Sequence, residues 1–550
     1  MNQQRSTRRC QKGLLFAISG GFVVFAIFSC RPLKSASSTR DAAVEATSWS
    51  QLQEQRQHAR EHYFVDQRAA TQAFQNKPVG FDGMPALIVA LLPTILPDLW
   101  NPGAAERLTG MHWVEGAFPF ELHLGDENRG ALSTLSFSCA SCHMGRIKVG
   151  DREQTILGGP NTQIDVAGFR HLVWRSVNDP RLTAENLIVA LKQKQPGWLY
   201  GLDQLAREAQ EVKIFEVNAR VVVAALKKSI NGREDMVQRI LGRYTYKDAA
   251  NLVNGGIAGS LDAFGFTVLA LLIPADFASK TQQEQARIAG ALLPSQPPMV
   301  DIMNVWGQGT KELAQWDGNI RAKLMRNLGA ELGVIGDPAK VNFANAQVTT
   351  NFVANMPPPV YPFNVDLQKA ESGSLIFSKA CKRCHESGAF ISLEILGVDG
   401  NRARGLSKES RRGLIAGLRA ACSNKSLPEC NVADDDILLD RSDRPGYLSP
   451  PLSGIWARAP YLHNGSVPTL YHMLVPKERP VRFNRGSTHF DEVKVGFASG
   501  IGPPVGVTFD TTWPGFSNRG HEDPEIFFSG FDFSVNLDAR DELLEYLKTL

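Results

Sequence analysis

The sequence predicts a mainly α fold in two modules with long loops, set behind an N-terminal helical extension. Three observations predict it. Apolar residues recur at helical spacing through several stretches. The pattern Cys-x-x-Cys-His occurs at Cys139–His143 and again at Cys381–His385, and nowhere else in the chain. Gly and Pro crowd the segments between the helical stretches. At 550 residues the chain exceeds one ordinary core, so about two to three domains are expected.

Composition narrows the function without naming it. An apolar content of 43% and a charged content of 21% are those of a globular protein, and a formal net charge of +3 gives no polyanion a reason to bind. No nucleic-acid partner is expected. Arg5, Arg8, Arg9 and Lys12 precede an uncharged apolar run from Gly13 to Ser29, the layout of a secretory signal, so residues 1–30 are read as a signal peptide. A periplasmic or secreted location follows. The run ends Ile27-Phe28-Ser29-Cys30, like a lipoprotein box in which Cys30 carries a lipid anchor, although Phe28 departs from the usual small residue. Left uncleaved, the run is a marginal membrane anchor, since spanning takes roughly 20 apolar residues.

Residues 31–100 read as a tether and N-terminal extension. Ser, Ala and Thr dominate as far as about Trp49. His58 and His62 then share a helix face at i, i+4, which is half of a metal site, and no third ligand is near in sequence. A solvated face is the expectation.

The repeated Cys-x-x-Cys-His carries the chemistry. Two thiols three positions apart can each add to a haem vinyl group, and the next residue offers its imidazole to the iron from the same turn. The competing readings are a disulfide and a zinc half-site. Twice in a chain with an export signal, the pattern predicts two covalently bound haem c groups, on Cys139, Cys142 and His143 and on Cys381, Cys384 and His385. Cys422 and Cys430 remain, and an oxidising compartment with a short loop between them predicts a disulfide.

The first module is assigned to residues 101–345 and the second to 346–550. Glu185 to about Leu241 reads as helical, broken at Pro196-Gly197, with Leu191, Leu205, Ile214, Val217, Val221 and Ala225 as its core positions. In the second module Asp366–Lys379 is an amphipathic helix with Leu367, Ala370, Leu375 and Ile376 apolar, and Asp538–Leu550 places Leu543, Leu544, Leu547 and Leu550 at helical spacing. Two such helices bracketing Cys-x-x-Cys-His look like the cytochrome c fold. A short internal echo supports duplication: Asn304-Val305-Trp306 leads to Trp316-Asp317-Gly318-Asn319, and Gly454-Ile455-Trp456 leads to His463-Asn464-Gly465-Ser466.

Other motifs weigh less. His112, His123 and His171 flank the first motif as candidate ligands, with local hydrogen bonding as the ordinary alternative. Gly307-Gln308-Gly309 is only part of a nucleotide fingerprint and no strand pattern precedes it. Asp434-Asp435-Asp436 leaves calcium open, with a solvated loop as the simpler reading.

From about residue 100 onward the chain resembles the bacterial di-haem cytochrome c peroxidase and MauG superfamily. The two Cys-x-x-Cys-His motifs and Ala459-Pro460-Tyr461-Leu462-His463-Asn464-Gly465-Ser466-Val467-Pro468-Thr469-Leu470 carry that resemblance. Arg479-Pro480, Lys494-Val495-Gly496-Phe497 and Ser517-Asn518-Arg519-Gly520-His521 look most like the branch of rubber oxygenases and fatty-acid dioxygenases.

That branch implies His385 and His521 as axial ligands of the second iron, because Met473 comes too early for the methionine of the peroxidases and Lys477 stands near the expected place. His463 is implied to orient the haem environment. A bis-His haem has no open site and suits electron transfer, leaving the haem at His143 as the reactive one. The resemblance implies an apolar distal side there, with Phe264 or Phe266 near the oxygen-binding face. Peroxide chemistry wants a distal base instead, for which His171 and Glu211 are candidates.

The expectation is therefore an oxidoreductase activating oxygen or peroxide, most simply an oxygenase acting on an apolar substrate. A peroxidase and a non-catalytic di-haem electron carrier are the alternatives. The implied partners are the small-molecule oxidant, an apolar organic substrate, and a small electron-donor cytochrome or cupredoxin.

Overall fold

The computed structural model describes residues 48–80, 83–113, 118–119, 121–125, 132–242, 256–274, 276–386, 388–422, 430–500 and 506–550. The signal segment, Cys30 and the tether lie outside the described residues. About 52% of the structure is helix and 12% strand, so the mainly α expectation holds at that level. Among the described residues its sheets are two- and three-stranded ribbons.

Helix α1 (Trp49–Asp66) starts on a capping box formed by Ser48 and Gln51. It works as a strap. Arg60 donates to the carbonyls of Pro357 and Leu157, and the Tyr63 hydroxyl donates to the Phe352 carbonyl at 2.5 Å, so one helix ties segments far apart in sequence. His58 and His62 meet edge to face on its exposed side, with ring centroids 4.3 Å apart.

The first motif forms the short helix α2 (Cys139–His143), followed by an antiparallel hairpin of β1 (Met144–Val149) and β2 (Arg152–Leu157) that pairs Met144 with Leu157. The hairpin returns the chain to the motif. Gly158 N–H donates to the His143 carbonyl, Asn161 N–H to the Cys142 carbonyl, and the Asn161 side-chain amide to the Ser141 carbonyl, each at 2.8–2.9 Å. The Gly-Gly-Pro-Asn turn thus holds Ser141, Cys142 and His143, two of which would meet a cofactor.

Helix α3 (Leu205–Leu241) corrects the face predicted for it. Its buried residues include Glu208, Glu211, Phe215, Ala219, Val223 and Leu226, whereas Val217 is 77% and Val221 70% exposed. The reason is local. Glu208 accepts from the N–H groups of Gly197 and Leu199, and Glu211 from Ser133 and the Tyr200 hydroxyl, so two carboxylates are buried as caps of neighbouring turns.

Helices α4 (Ala263–Leu271), α5 (Lys323–Ile335) and α6 (Phe343–Asn355) stand next, and α5 packs on both of its neighbours. In the second half α7 (Leu367–Ala380) runs into α8 (Lys382–His385), which carries the second motif. Helix α9 (Lys408–Cys422) ends at a disulfide between Cys422 and Cys430, as expected. Helix α10 (Leu537–Thr549) closes the chain against α7. The apolar face of α7 differs from the predicted one: Ala370, Gly373, Ile376 and Ala380 are buried while Leu375 is 65% exposed. Small residues face α10 because the helices cross closely; a Cβ on Gly373 would overlap the Glu542 carbonyl.

The internal echo becomes a backbone repeat that keeps the register read in sequence for Trp316–Asn319 and His463–Ser466 and shifts it for the two tryptophan segments. Gly307 and Gly454 both take left-handed conformations ahead of a short 3-10 turn. The bridge Ala314↔Ile320 matches Tyr461↔Val467, with left-handed Gln315 and Gly318 matching Leu462 and Gly465. One constant offset relates every pair, and it carries Met303 to Pro450 and Lys311 to Arg458. Trp306 and Trp456 do not correspond.

Candidate functional site

Cys139, Cys142 and His143 stand on the wall of a cavity of about 590 Å³, within the range of small-molecule and cofactor sites. Phe264 and Phe266 of α4 line it too, with Leu261, Val300, Ile320, Leu414 and Leu418 among the other apolar residues. Burial raises the Cys139 thiol, with the Glu331 carboxyl adding to it, and raises Cys142 to about 12. Both are neutral thiols facing a cavity, the form from which a vinyl adduct is made. His143 Nδ1 lies 2.8 Å from the Met303 carbonyl, which fixes Nδ1 as the donor and leaves Nε2 as the unprotonated nitrogen. Burial depresses this imidazole to about 4, so it is neutral and competent as a ligand.

The second motif repeats the device. His385 Nδ1 lies 2.9 Å from the Pro450 carbonyl, the residue that corresponds to Met303 in the backbone repeat, and burial lowers this imidazole as well. Cys381 is raised to about 12 by burial and then by Cys384. Opposite His385 stands His521. The two rings are 6.4 Å apart between centroids with planes 24° from parallel. Two imidazoles on opposite sides of one metal at bond lengths of about 2 Å have centroids roughly 6.3 Å apart, so this pair has the spacing of a bis-His iron site. Burial, reinforced by His385 and Arg479, holds His521 down at about 3, and its Nδ1 has no hydrogen-bond partner among the described residues.

The loop carrying His521 is tightly built. Arg479 Nη1 donates to the carbonyls of Asn518 and Gly520 at 2.6 and 2.8 Å. The Asn464 amide donates to those of Gly515 and Ser517, and Ser466 Oγ to Ser517. His521 itself sits at φ 55° and stacks on Phe527. The His-Asn-Gly-Ser turn therefore positions the His521 loop. His463 is buried, stacked on Tyr447 at 4.3 Å, with Nε2 3.8 Å from Asp399.

Several candidates fall elsewhere. His112, His123 and His171 do not line the cavity, and His171 stacks on Trp174. Glu211 is engaged by Ser133 and Tyr200, so neither distal base predicted from sequence is placed to serve. Asp434, Asp435 and Asp436 pair with Arg419, Arg411 and Arg321, which leaves no carboxylate cage for calcium. Sequence reasoning missed three residues of the cavity wall. Glu331 of α5 is 5% exposed with Oε2 unpartnered among the described residues, and burial raises its carboxyl well above the ordinary range. Arg326, one turn earlier, and Lys311 are the others. A lone charge in an amphipathic helix carries no sequence signal that separates a cavity wall from solvent.

Residues 446–484, which include the whole Ala459–Leu470 segment and Arg479, match the RoxA-like, cytochrome c-like family. Two proteins of Sinorhizobium fredii (strain NBRC 101917 / NGR234), both described only as uncharacterized, are similar to the chain. The protein y4iM is 36% identical over 287 residues, 46% of this chain and 66% of that protein, so just under two thirds of its length is spanned. The protein y4iJ is 24% identical over 497 residues, 76% of this chain and 77% of that protein. The match at 446–484 supports a relationship to RoxA-type di-haem cytochromes c, with the haem c cofactor that a cytochrome c-like domain implies and the oxidoreductase chemistry to which it points.

Proposed function

We propose that the protein is an exported di-haem c-type oxidoreductase, with two cytochrome c-like modules and with its reactive centre at Cys139, Cys142 and His143. One observation carries this reading. Both motif histidines have Nδ1 tied to a carbonyl at the same place in the backbone repeat, yet only His385 faces a second imidazole, while His143 faces a cavity of about 590 Å³ whose wall holds no other histidine. His385 and His521 would together hold the second haem iron, suiting it to electron transfer, and His143 would hold the first beside a cavity with room for a small ligand.

A haem held there would supply the redox chemistry. The chain's residues do the rest. His143 is held as a neutral ligand by the Met303 carbonyl. Phe264, Phe266 and the neighbouring aliphatic side chains exclude water and accept an apolar substrate. This wall favours an oxygenase acting on an apolar compound. Glu331 favours a second reading: a protonated carboxyl on the same wall can hold and deliver a proton, as peroxide reduction requires. The electron donor in that case is a small cytochrome or cupredoxin.

Purified protein should show two haems by alkaline pyridine haemochrome, one high-spin and one low-spin by EPR. Two low-spin haems inert to oxygen and peroxide would make it an electron carrier and defeat the proposal. Reaction of the high-spin haem with peroxide alone, with turnover of a reduced cytochrome, would defeat the oxygenase and retain the peroxidase.

A further inference from the structure

The cavity at the first motif holds positive charge for which the protein provides no partner. Lys311, Arg326 and Arg458 all stand on its wall. Arg326 is 7% exposed, and its Nε and Nη2 have no hydrogen-bond partner among the described residues; nor has Nε of Arg458, whose Nη2 is spent on the carbonyls of Pro451 and Ser453. Burial lowers both guanidinium groups to about 10, and burial together with those two cations lowers Lys311 to about 7.

Three of the four carboxylates of the wall pair elsewhere, and burial raises the fourth, Glu331, well above the ordinary carboxylate range. Asp301 pairs with Arg485, Glu312 with Arg321 and Glu386 with Lys382, and Glu331 Oε2 is itself unpartnered. Buried guanidinium donors left unmatched are strongly unfavourable, so this cluster is built for an anion that comes with a ligand. Planar forked donors suit carboxylates.

The position of the cluster narrows the source. A haem joined to protein through its two vinyl carbons carries its two propionates on the opposite edge. Cys139 and Cys142 line the same cavity as the three cations, so a haem attached there brings its propionates into the space that the cations face. Lys311 and Arg458 also occupy equivalent positions in the backbone repeat, whereas the repeat carries Arg326 to Met473. The first cavity has a cation that the second module lacks.

We propose that Arg326, Lys311 and Arg458 form a carboxylate-binding cluster whose occupants are the two propionates of the haem attached at Cys139 and Cys142. This rests on the haem assignment above. Arg326 then sets the potential of the first haem by favouring the electron-rich reduced state.

The test uses the holoprotein and Arg326→Gln, with Arg326→Lys and Lys311→Gln as companions, and reads haem content and the midpoint potential of each haem. Arg326→Gln is expected to keep both haems and to change the reduced-to-oxidised ratio of the high-spin haem about tenfold towards oxidised, about 59 mV for one electron. Arg326→Lys is expected to restore most of that shift. The low-spin haem should move less. Lys311→Gln, which removes no buried guanidinium, should shift the same haem in the same direction and serves if Arg326→Gln does not fold.

Decanoate separates the two sources of carboxylate. If it perturbs the high-spin haem of the wild type but not of Arg326→Gln, while the potentials of the two proteins agree without it, the cluster takes an external carboxylate and the propionate assignment is overturned. Equal potentials and no decanoate effect overturn the cluster altogether. A wild type with a single haem on Cys381 and Cys384 overturns the haem assignment instead, a result that haem counting keeps distinct.

Discussion

At His521 the backbone and the side chain are constrained together. A non-glycine residue at φ 55° is uncommon and is held only where its surroundings insist. Here Arg479 grips the carbonyl of Gly520, and a Cβ on Gly520, at φ 121°, would collide with Val398. Gly520→Ala is therefore expected to displace His521 and convert the low-spin haem partly to high spin, with a stability loss of roughly 1–3 kcal/mol. His521→Ala should convert it fully; EPR at low temperature reads both, and an unchanged low-spin signal in His521→Ala would refute the ligand. Glu331 gives a different signature. Its carboxyl is raised in the folded state, so its contribution to stability is complete below about pH 4.5, its ordinary value, and is lost as pH rises from there through the folded value. Urea midpoints of the holoprotein between pH 5 and 8 should fall more steeply in the wild type than in Glu331→Gln. His521 was singled out in sequence through the resemblance of its Ser-Asn-Arg-Gly-His setting to the oxygenase branch, and its ring lies opposite that of His385. Glu331 and Arg326 were not legible in sequence, because only the packing of α5 beside α4 and α6 turns them inward, and neither was Lys311, which follows the short 3-10 turn Gln308–Thr310.

Elements were legible where burial is purely apolar and misread where it is not. The closing helix was predicted at Asp538–Leu550 and runs Leu537–Thr549, with Leu543, Leu544 and Leu547 buried as expected. Helix α3 hides its face behind Glu208 and Glu211, so a hydrophobic count selects the exposed valines. Helix α7 hides its own behind glycine and alanine, which read as weak signals although they set the distance of approach. That distance is testable. Gly373→Ala puts a methyl group against the Glu542 carbonyl, and overpacking of this kind costs about 1–3 kcal/mol. The expected effect is a lower thermal midpoint with perturbation confined to the low-spin haem, since α7 leads into the second motif; an equal disturbance of the high-spin haem would count against that placement.

Over the whole molecule, one buried guanidinium joins the two candidate centres. Arg485 ends β3 (Arg482–Arg485), which pairs with β4 (Val507–Asp510), and its side chain is fully buried. It donates to the Ala258 carbonyl, to Asp301, and to the Gly465 carbonyl at 3.0 Å. Two of these contacts, those to Asp301 and Gly465, lead to a centre. Asp301 is two residues before Met303, whose carbonyl holds His143, and Asp301 N–H donates to the His463 carbonyl at 2.7 Å. Gly465 adjoins Asn464, whose amide holds the loop of His521. Arg485→Met leaves Asp301 buried without its cation, a change that typically costs about 3–5 kcal/mol. The substitution is expected to lower the urea midpoint and to move the optical and EPR features of both haems together, in contrast to Gly373→Ala. Asp301→Asn, which keeps an acceptor for Arg485 and removes the charge, should be milder on both. If Arg485→Met disturbed one haem alone, the two centres would be supported independently and this network would not connect them.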